Sequence, residues 1–381
     1  MKDNITRREF LKTSVGMAVS VGFGLPLLAE EPKGKAYEIK GTTGMRYRLF
    51  GRTNQYISVI AGNETFPPPV IDKAIRIGVN YWHKARGREL SNLIRKHKVR
   101  KSVMVEFCLD NKPREELLRK FKNNMRRLGY DYVDFYKMHI RYSDEAVEAF
   151  QQLKKEGLVK FLSASLHESP KNVRRIVDKG VLDAIQIMIN PLSGEEVKKL
   201  CAYCKEKGIG VIAMKTMVGG PKKWESNRKL MERLKKFLPN TQDIARAIVK
   251  YVLSIEGVSA VVVACRNIEQ FQDAVLASGM KLSSAERKGL EIFASEMRGE
   301  FCQMCGLCEE VCPKGIQIRE LMRAELYLTT YEEPDRAWEV YSSIPPWRRA
   351  EMCDRCGICE ESCPYGIPVV QRINELQSLI A

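Results

Sequence analysis

Eight of the twelve cysteines fall into two copies of one spacing, Cys302-x2-Cys305-x2-Cys308-x3-Cys312-Pro313 and Cys353-x2-Cys356-x2-Cys359-x3-Cys363-Pro364. Three thiolates three residues apart can wrap one cubane corner by corner, while the fourth, next to a proline, leaves in another direction. This is the ligand pattern of a chain with two [4Fe-4S] clusters, in which the fourth cysteine of each run ligates the other cluster. The expected assignment is therefore crossed. Cys302, Cys305, Cys308 and Cys363 hold one cluster, and Cys353, Cys356, Cys359 and Cys312 hold the other, so neither motif completes a site alone. A structural zinc site takes its four ligands as two separated pairs. Disulfides, the default of a small secreted chain, leave the repeated spacing unexplained. The chemistry expected is one-electron transfer.

The elements that position these ligands are legible in the rest of the 381 residues. That length predicts two domains with appendages. A content of 44% apolar and 29% charged residues is that of an ordinary folded protein. From Tyr47 to Met297 the chain alternates short β-branched runs with amphipathic helices. The runs are Ile57 to Gly62, Val79 to His83, Val103 to Cys108, Val133 to His139, Lys160 to Leu166, Ala184 to Asn190, Gly210 to Lys215 and Ala260 to Cys265. Eight such units predict an α/β fold, a (β/α)8 TIM barrel. A doubly wound sheet is the alternative, but the Gly-rich fingerprint after its first strand is missing. After a boundary at Arg298-Gly299 a small, mainly helical two-cluster ferredoxin-like domain follows, with helices expected around Arg319 to Thr330 and Asp335 to Tyr341 and a turn at Pro345-Pro346. The expected division is 1–29, 30–297 and 298–381.

Residues 1–29 read as a leader. Thr6-Arg7-Arg8-Glu9-Phe10-Leu11-Lys12 precedes an uncharged stretch from Thr13 to Leu28 that is too short and glycine-rich to span a bilayer well. This resembles a twin-arginine export signal, with Ala29 as the cleavage point. The resemblance implies a periplasmic or otherwise exported protein that crosses the membrane already folded and loaded with its clusters. No other window is apolar enough for a transmembrane helix. The formal charge of +16 could point to nucleic acid. However, the basic residues sit on amphipathic helices mixed with glutamates, and no nucleic-acid-binding motif is present. An acidic electron-transfer partner is the expected use of that charge.

Active sites of such barrels lie at the C-terminal strand ends. Those ends give His83, Cys108, His139, Asn190, Lys215 and Arg266, with His167 just beyond the fifth run. Three of four histidines thus gather at one rim, where imidazoles can exchange protons. The Cys201-x2-Cys204 pair instead lies at helical spacing with Val197 and Leu200, which places both thiols in the outer core.

The barrel resembles the aldo/keto reductase family, specifically members with a twin-arginine signal and a C-terminal two-cluster domain. The residues concerned are Tyr47-Arg48-Leu49-Phe50-Gly51-Arg52-Thr53, Gly78-Val79-Asn80-Tyr81-Trp82, Asp131-Tyr132-Val133-Asp134 leading to Met138-His139, Gln186 with Asn190-Pro191-Leu192, and Gly208-Ile209-Gly210-Val211-Ile212-Ala213. Members reduce carbonyls with an Asp, Tyr, Lys and His set and a nicotinamide. Only the His is matched here, as His139. The Asp position is His83, the Tyr position falls near Arg88, and the Lys position is Cys108. Arg88 cannot donate a proton near neutral pH. Ser165 and Gln186 match the family's nicotinamide contacts, but Leu166 stands where an Asn is expected and Met214 where an aromatic stacks on the ring, so NADP(H) is a doubtful cofactor. Lys215 and Arg266, near Gly219-Gly220-Pro221, could cradle a phosphate.

The function expected is an iron-sulfur oxidoreductase or electron-transfer protein. It would relay electrons through two [4Fe-4S] clusters to or from a site at the barrel mouth, with His139, His83 and Cys108 as the groups for proton transfer or ligand contact. Two alternatives stand beside it: a non-catalytic barrel that serves as a docking scaffold, and an NADPH-dependent carbonyl reductase.

Overall fold

The computed structural model describes residues 38–41 and 43–380. The Arg7-Arg8 segment expected to be an export signal lies outside the described residues. A three-stranded antiparallel sheet comes first, from β1 (Glu38–Lys40), β2 (Arg46–Leu49) and β3 (Tyr56–Ser58). Eight parallel strands then close into a barrel in chain order. They are β4 (Ile60–Asn63), β5 (Tyr81–His83), β6 (Met104–Leu109), β7 (Val133–Met138), β8 (Val159–Ser165), β9 (Ala184–Met188), β10 (Gly210–Met214) and β11 (Val258–Val262), and β11 pairs back onto β4. The expected first run, Ile57 to Gly62, is in fact two strands. Its first half pairs with the antiparallel sheet and its second half enters the barrel.

Helices wrap the barrel because the links between strands carry apolar stripes, and several helices have a side-chain cap. Ser143, Ser169, Asn240 and Asn267 each accept a backbone N–H at a helix start, and Ser283 forms a reciprocal capping box with Glu286. Along the strands, side chains alternate between two environments. Trp82, Val105, Phe107, Tyr136 and Met138 point outward into the core shared with the helices. Tyr81, Met104, Phe135, Ala184, Ile212 and Ala260 point inward and pack on Phe50, whose ring lies 5.5 Å from Tyr81 and 5.4 Å from Phe135. Phe50 thus plugs the lower end of the barrel. Along β5 to β9, the next inward layer is polar: His83, Glu106, Lys137, Ser163 and Gln186.

After the helix Ser284–Glu296 the chain enters the cysteine-rich domain, whose regular elements among the described residues are all helices, joined by turns that carry the cysteines. Its main helices are Ile318–Glu325, Pro334–Ser342 and Val369–Ile380, and the first runs on into a π-helical turn at Leu326–Thr330. Leu321, Met322, Tyr341, Ile373 and Leu376 form a small core of its own. Phe301, Met304 and Leu326 are instead buried in the barrel's core, so the domain is seated by apolar packing as well as by polar contacts.

Gly210 sits where an added Cβ would lie 2.3 Å from the Phe50 ring. That ring is pinned between Tyr81 and Phe135, so Gly210→Ala should destabilise the barrel by about 1–3 kcal/mol through overpacking. The measurement is the shift of the urea midpoint of the anaerobic protein.

Candidate redox centres and the barrel mouth

The two motifs repeat with one offset, since 353 − 302 and 363 − 312 are both 51. The backbone repeats with them. Met304 and Arg355 take left-handed conformations (φ 51° and 58°), as do Gly306 and Gly357 (φ 80° each) and Gly315 and Gly366 (φ 60° and 66°). Alternating right- and left-handed residues turn successive N–H groups into a concavity that favours negative charge. The Met304 N–H donates to Cys302 Sγ at 3.3 Å and the Arg355 N–H to Cys353 Sγ at 3.4 Å, while the Ile367 N–H donates to Cys363 Sγ at 3.5 Å.

These turns line two hollows. One is bounded by Cys302, Cys305, Cys308 and Cys363, the other by Cys312, Cys353, Cys356 and Cys359. Each encloses about 380 Å³, open solvent at its mouth included. Apart from the thiols, the walls are mostly aliphatic, with Ile316, Ile318 and Ile373 in one and Met322, Ile367 and Val369 in the other. Four thiols, donated backbone N–H groups and a dry wall are the donor set of a [4Fe-4S] cluster, so the residues fit that group.

The hollow containing Cys305 faces the barrel. Asn190, at the end of β9, donates to Gln303 Oε1 at 3.1 Å. Arg319, which lines this hollow, donates to the His167 carbonyl at 2.5 Å and pairs with Glu168 at 2.9 Å. A gap lined by Leu166, His167, Met188, Gln303, Cys305 and Tyr365 separates the thiols from the barrel strands. The other hollow faces outward, and its Cys356 is exposed.

Inside the barrel, Lys137 uses all three ammonium protons. It meets Glu106 Oε2 and His83 Nδ1 at 2.5 Å each and Gln186 Oε1 at 2.8 Å. Glu106 Oε1 accepts from Tyr81 at 2.8 Å and from Ser163 at 3.0 Å. An ammonium has no acceptor, so His83 Nδ1 must accept and Nε2 must bear the proton. Burial pushes the His83 imidazole down to about 3, and the Lys137 charge adds to this. Burial would raise the Glu106 carboxyl, but the Lys137 charge holds it well below the ordinary carboxylate range. At the rim, His139 Nδ1 lies 2.5 Å from Asp110 Oδ1. Burial holds His139 down at about 4 even though Asp110 opposes the shift, and the His139 hydrogen bond keeps Asp110 well below its usual value. Burial raises the Cys108 thiol, so it is not a thiolate at rest.

A family model described as aldo/keto reductase matches residues 84–294, more than half of the chain. The chain belongs to the aldo/keto reductase family. A second model, for a 4Fe-4S dicluster domain, matches residues 301–368. An aldo-keto reductase from Bacillus halodurans, solved in its holo form, superposes with a TM-score of 0.53 at 17% identity, covering 65% of this chain and 95% of that one. This shows the fold. The uncharacterized oxidoreductase YqkF of Bacillus subtilis is 24% identical over 267 residues, 58% of this chain and 85% of YqkF. One component of the ferredoxin/F(420)H(2)-dependent CoB-CoM heterodisulfide reductase of Methanosarcina acetivorans is 32% identical over 104 residues, 26% of this chain. The chain spans only about half, 52%, of that component. Together these matches support an iron-sulfur oxidoreductase or electron-transfer role in general.

Within this aldo/keto reductase barrel the expected site residues separate into groups. His83 and Gln186 meet in the Lys137 network, but Gln186 spends its carbonyl there, and the Ser165 hydroxyl turns to the Met214 sulfur at 3.6 Å. Arg88 opens the helix Arg88–Lys96 and is exposed, and Arg266 is exposed beyond β11, away from the layer. Trp82 faces the outer core, so neither it nor Arg88 fills the mouth. Cys201 and Cys204 are fully buried. Glu106 and Lys137 were missed from sequence, although a charged residue inside an otherwise apolar run was the available signal. Lys137 stands in register opposite Cys108. A lysine is therefore present on the neighbouring strand, beside the position where the family's lysine is expected.

Lys137→Met would leave the Glu106 carboxylate buried without its counter-charge and should cost about 3–5 kcal/mol of stability. The double variant with Glu106→Gln should recover most of this, which a double-mutant cycle in urea measures. The pH dependence has a definite sign. Below the ordinary value of 6.5 the unfolded chain protonates its histidines while folded His83 and His139 stay neutral. Stability must therefore fall on acidification from about pH 7.5 to 5.5, with a slope approaching ~1.4 kcal/mol per pH unit for each ring. His83→Gln and His139→Gln should each flatten that slope by about one proton, and an unchanged slope would refute the neutral assignment.

Proposed function

We propose that this protein is an iron-sulfur oxidoreductase that exchanges electrons with a partner protein at the outer thiol hollow and with a small substrate at the barrel mouth. The observation behind this reading is the seating of the crossed thiol sites. The Cys302, Cys305, Cys308 and Cys363 hollow abuts the strand ends through Gln303, Arg319 and His167, while the Cys312, Cys353, Cys356 and Cys359 hollow is open to solvent. A [4Fe-4S] cluster in either hollow would take up and release one electron at a time.

The chain's own residues supply the rest. His83 presents Nε2–H as a donor, with its ring fixed from behind by Lys137, and His139, steadied by Asp110, is a second exchangeable imidazole at the rim. Cys108 lies beside them as a protonated thiol. The phenol that carbonyl reduction would need has no counterpart at Arg88, and Gln186 is engaged by Lys137. This favours electron delivery from the thiol-bound site over hydride transfer.

Around the outer hollow, Met352 and Ile358 are exposed, with Arg355 nearby, while Lys314 is paired with Asp354 at 3.1 Å. Such a rim suits an electron carrier with an apolar contact centre and an acidic group for Arg355. Export through the twin-arginine route is part of the same reading.

Protein purified without oxygen should contain about eight iron and eight sulfide per chain. Two spin-resonance signals should respond to different substitutions. Cys363→Ala should disturb the same signal as Cys302→Ala, and Cys312→Ala the same signal as Cys353→Ala. If Cys312→Ala instead tracked Cys302→Ala, the crossing would be wrong, and iron-free intact protein would end the redox reading.

A further inference from the structure

Positive charge gathers at the barrel mouth with little to balance it. Lys84 follows β5 and Lys215 follows β10, and both hold a left-handed backbone, φ 52° each, which side chains with a Cβ avoid. Among the described residues neither ammonium has a hydrogen-bonding or ion-pairing partner. Lys215 instead lies 5.6 Å from the centroids of Tyr327 and Tyr331, at the outer limit of a cation–π contact. Arg336 stacks on the Tyr327 ring at 4.4 Å from its centroid.

Two of the carboxylates facing this space are neutralised by arginines, Glu320 by Arg323 and Glu333 by Arg336 at 3.2 Å, whereas Asp110, bonded to the neutral His139, keeps its charge and offsets part of that of Lys84. Burial pushes Lys84 down to about 8, and the Arg336 and Lys137 charges add to it. Burial also lowers Lys215, with Lys84, Arg323 and Arg336 as like-charged neighbours. Three buried polar atoms bordering this space have no hydrogen-bond partner: Thr216 Oγ1, next to Lys215, His167 Nδ1, whose ring feels the Lys215 and Arg323 charges, and Glu320 Oε1, the carboxylate's other oxygen holding Arg323. All three residues are more than nine-tenths buried.

A fold that presses like charges together in strained backbone, beside a buried hydroxyl without a partner, is one that a bound anion would relieve. We propose that a small-molecule oxyanion, a carboxylate or a phosphate, binds between Lys84 and Lys215 of the barrel and Arg336 of the cysteine-rich domain, and is the anionic handle of the substrate used at the mouth. The site needs both domains. The helix Ile318–Glu325 places Arg319 and Met322 on the inner thiol hollow and Arg323 among the mouth charges. One helix, about 10–12 Å across, thus separates the anion site from the thiols. The substrate class rests on the mouth being where electrons are exchanged, whereas anion binding is measured without any electron transfer, so the two can fail separately.

The test is calorimetric titration of the cluster-loaded, full-length protein with inorganic phosphate and, separately, with malonate. At least one should bind at a single site, and which one does so distinguishes a phosphate handle from a carboxylate. Lys84→Gln and Lys215→Gln should each weaken binding tenfold or more, and Lys198→Gln on the outer helices should not. Both glutamine variants should also melt higher than the parent without anion, because repulsion has been removed. Independently of any variant, the melting midpoint of the unaltered protein should rise with the bound anion but not with chloride at equal ionic strength. The proposal is overturned if neither anion binds, if binding is indifferent to both lysines, or if chloride stabilises equally.

Discussion

Each thiol hollow takes three cysteines from one motif and the fourth from the other, the two motifs being offset by 51 positions, and most of the C-terminal domain follows from that crossing. The segment between the motifs cannot be an independent unit, because both of its ends are fixed in two shared sites. It folds into helices that bury a modest core of Leu321, Met322, Tyr341 and Leu376. A core of that size supplies little stability by itself, and groups that tie the two motifs together contribute folding free energy directly. The same closure aims one hollow at the barrel and leaves the other open to solvent.

The barrel meets a different constraint. An inward-facing layer normally holds bulky apolar residues, yet here it holds a lysine and a glutamate. Burying two charges is tolerable only when every donor and acceptor is met. That condition explains why Tyr81, His83, Ser163 and Gln186 surround the pair and why Gln186 is turned inward. The network fixes the His83 tautomer, and with it the group offered to the mouth. Below it, Phe50 and the aromatic plug close the lower end of the barrel.

The cysteine-rich domain is seated over that end. Phe301, Met304 and Leu326 enter the barrel's core, while Gln303, Arg319 and Arg323 reach the strand ends. The mouth is consequently a composite surface, with Lys84, Lys215 and His139 from the barrel and Arg323 and Arg336 from the helices. In an aldo/keto reductase barrel, this seating replaces an open cleft with one bounded by iron-sulfur ligand segments.

Much of this was readable in the chain before folding. The cysteine spacing pointed to the ligand class, because the step of three residues and the following proline are local geometry, and the thiols line the two hollows in the crossed grouping it implied. The eight alternating units named the barrel, because a strand and a helix each impose their own period. Other features depended on residues distant in sequence meeting in space. The split of the Ile57 to Gly62 run came from competition between two sheets for one segment. The pairing of Lys137 with Glu106 and His83 came from strand register, and the Lys84 and Lys215 cluster from the seating of one domain on another. Ligand spacing and periodicity are short-range and survive in a linear sequence, whereas the partner of a buried charge is fixed only when the barrel closes and the second domain packs across its mouth.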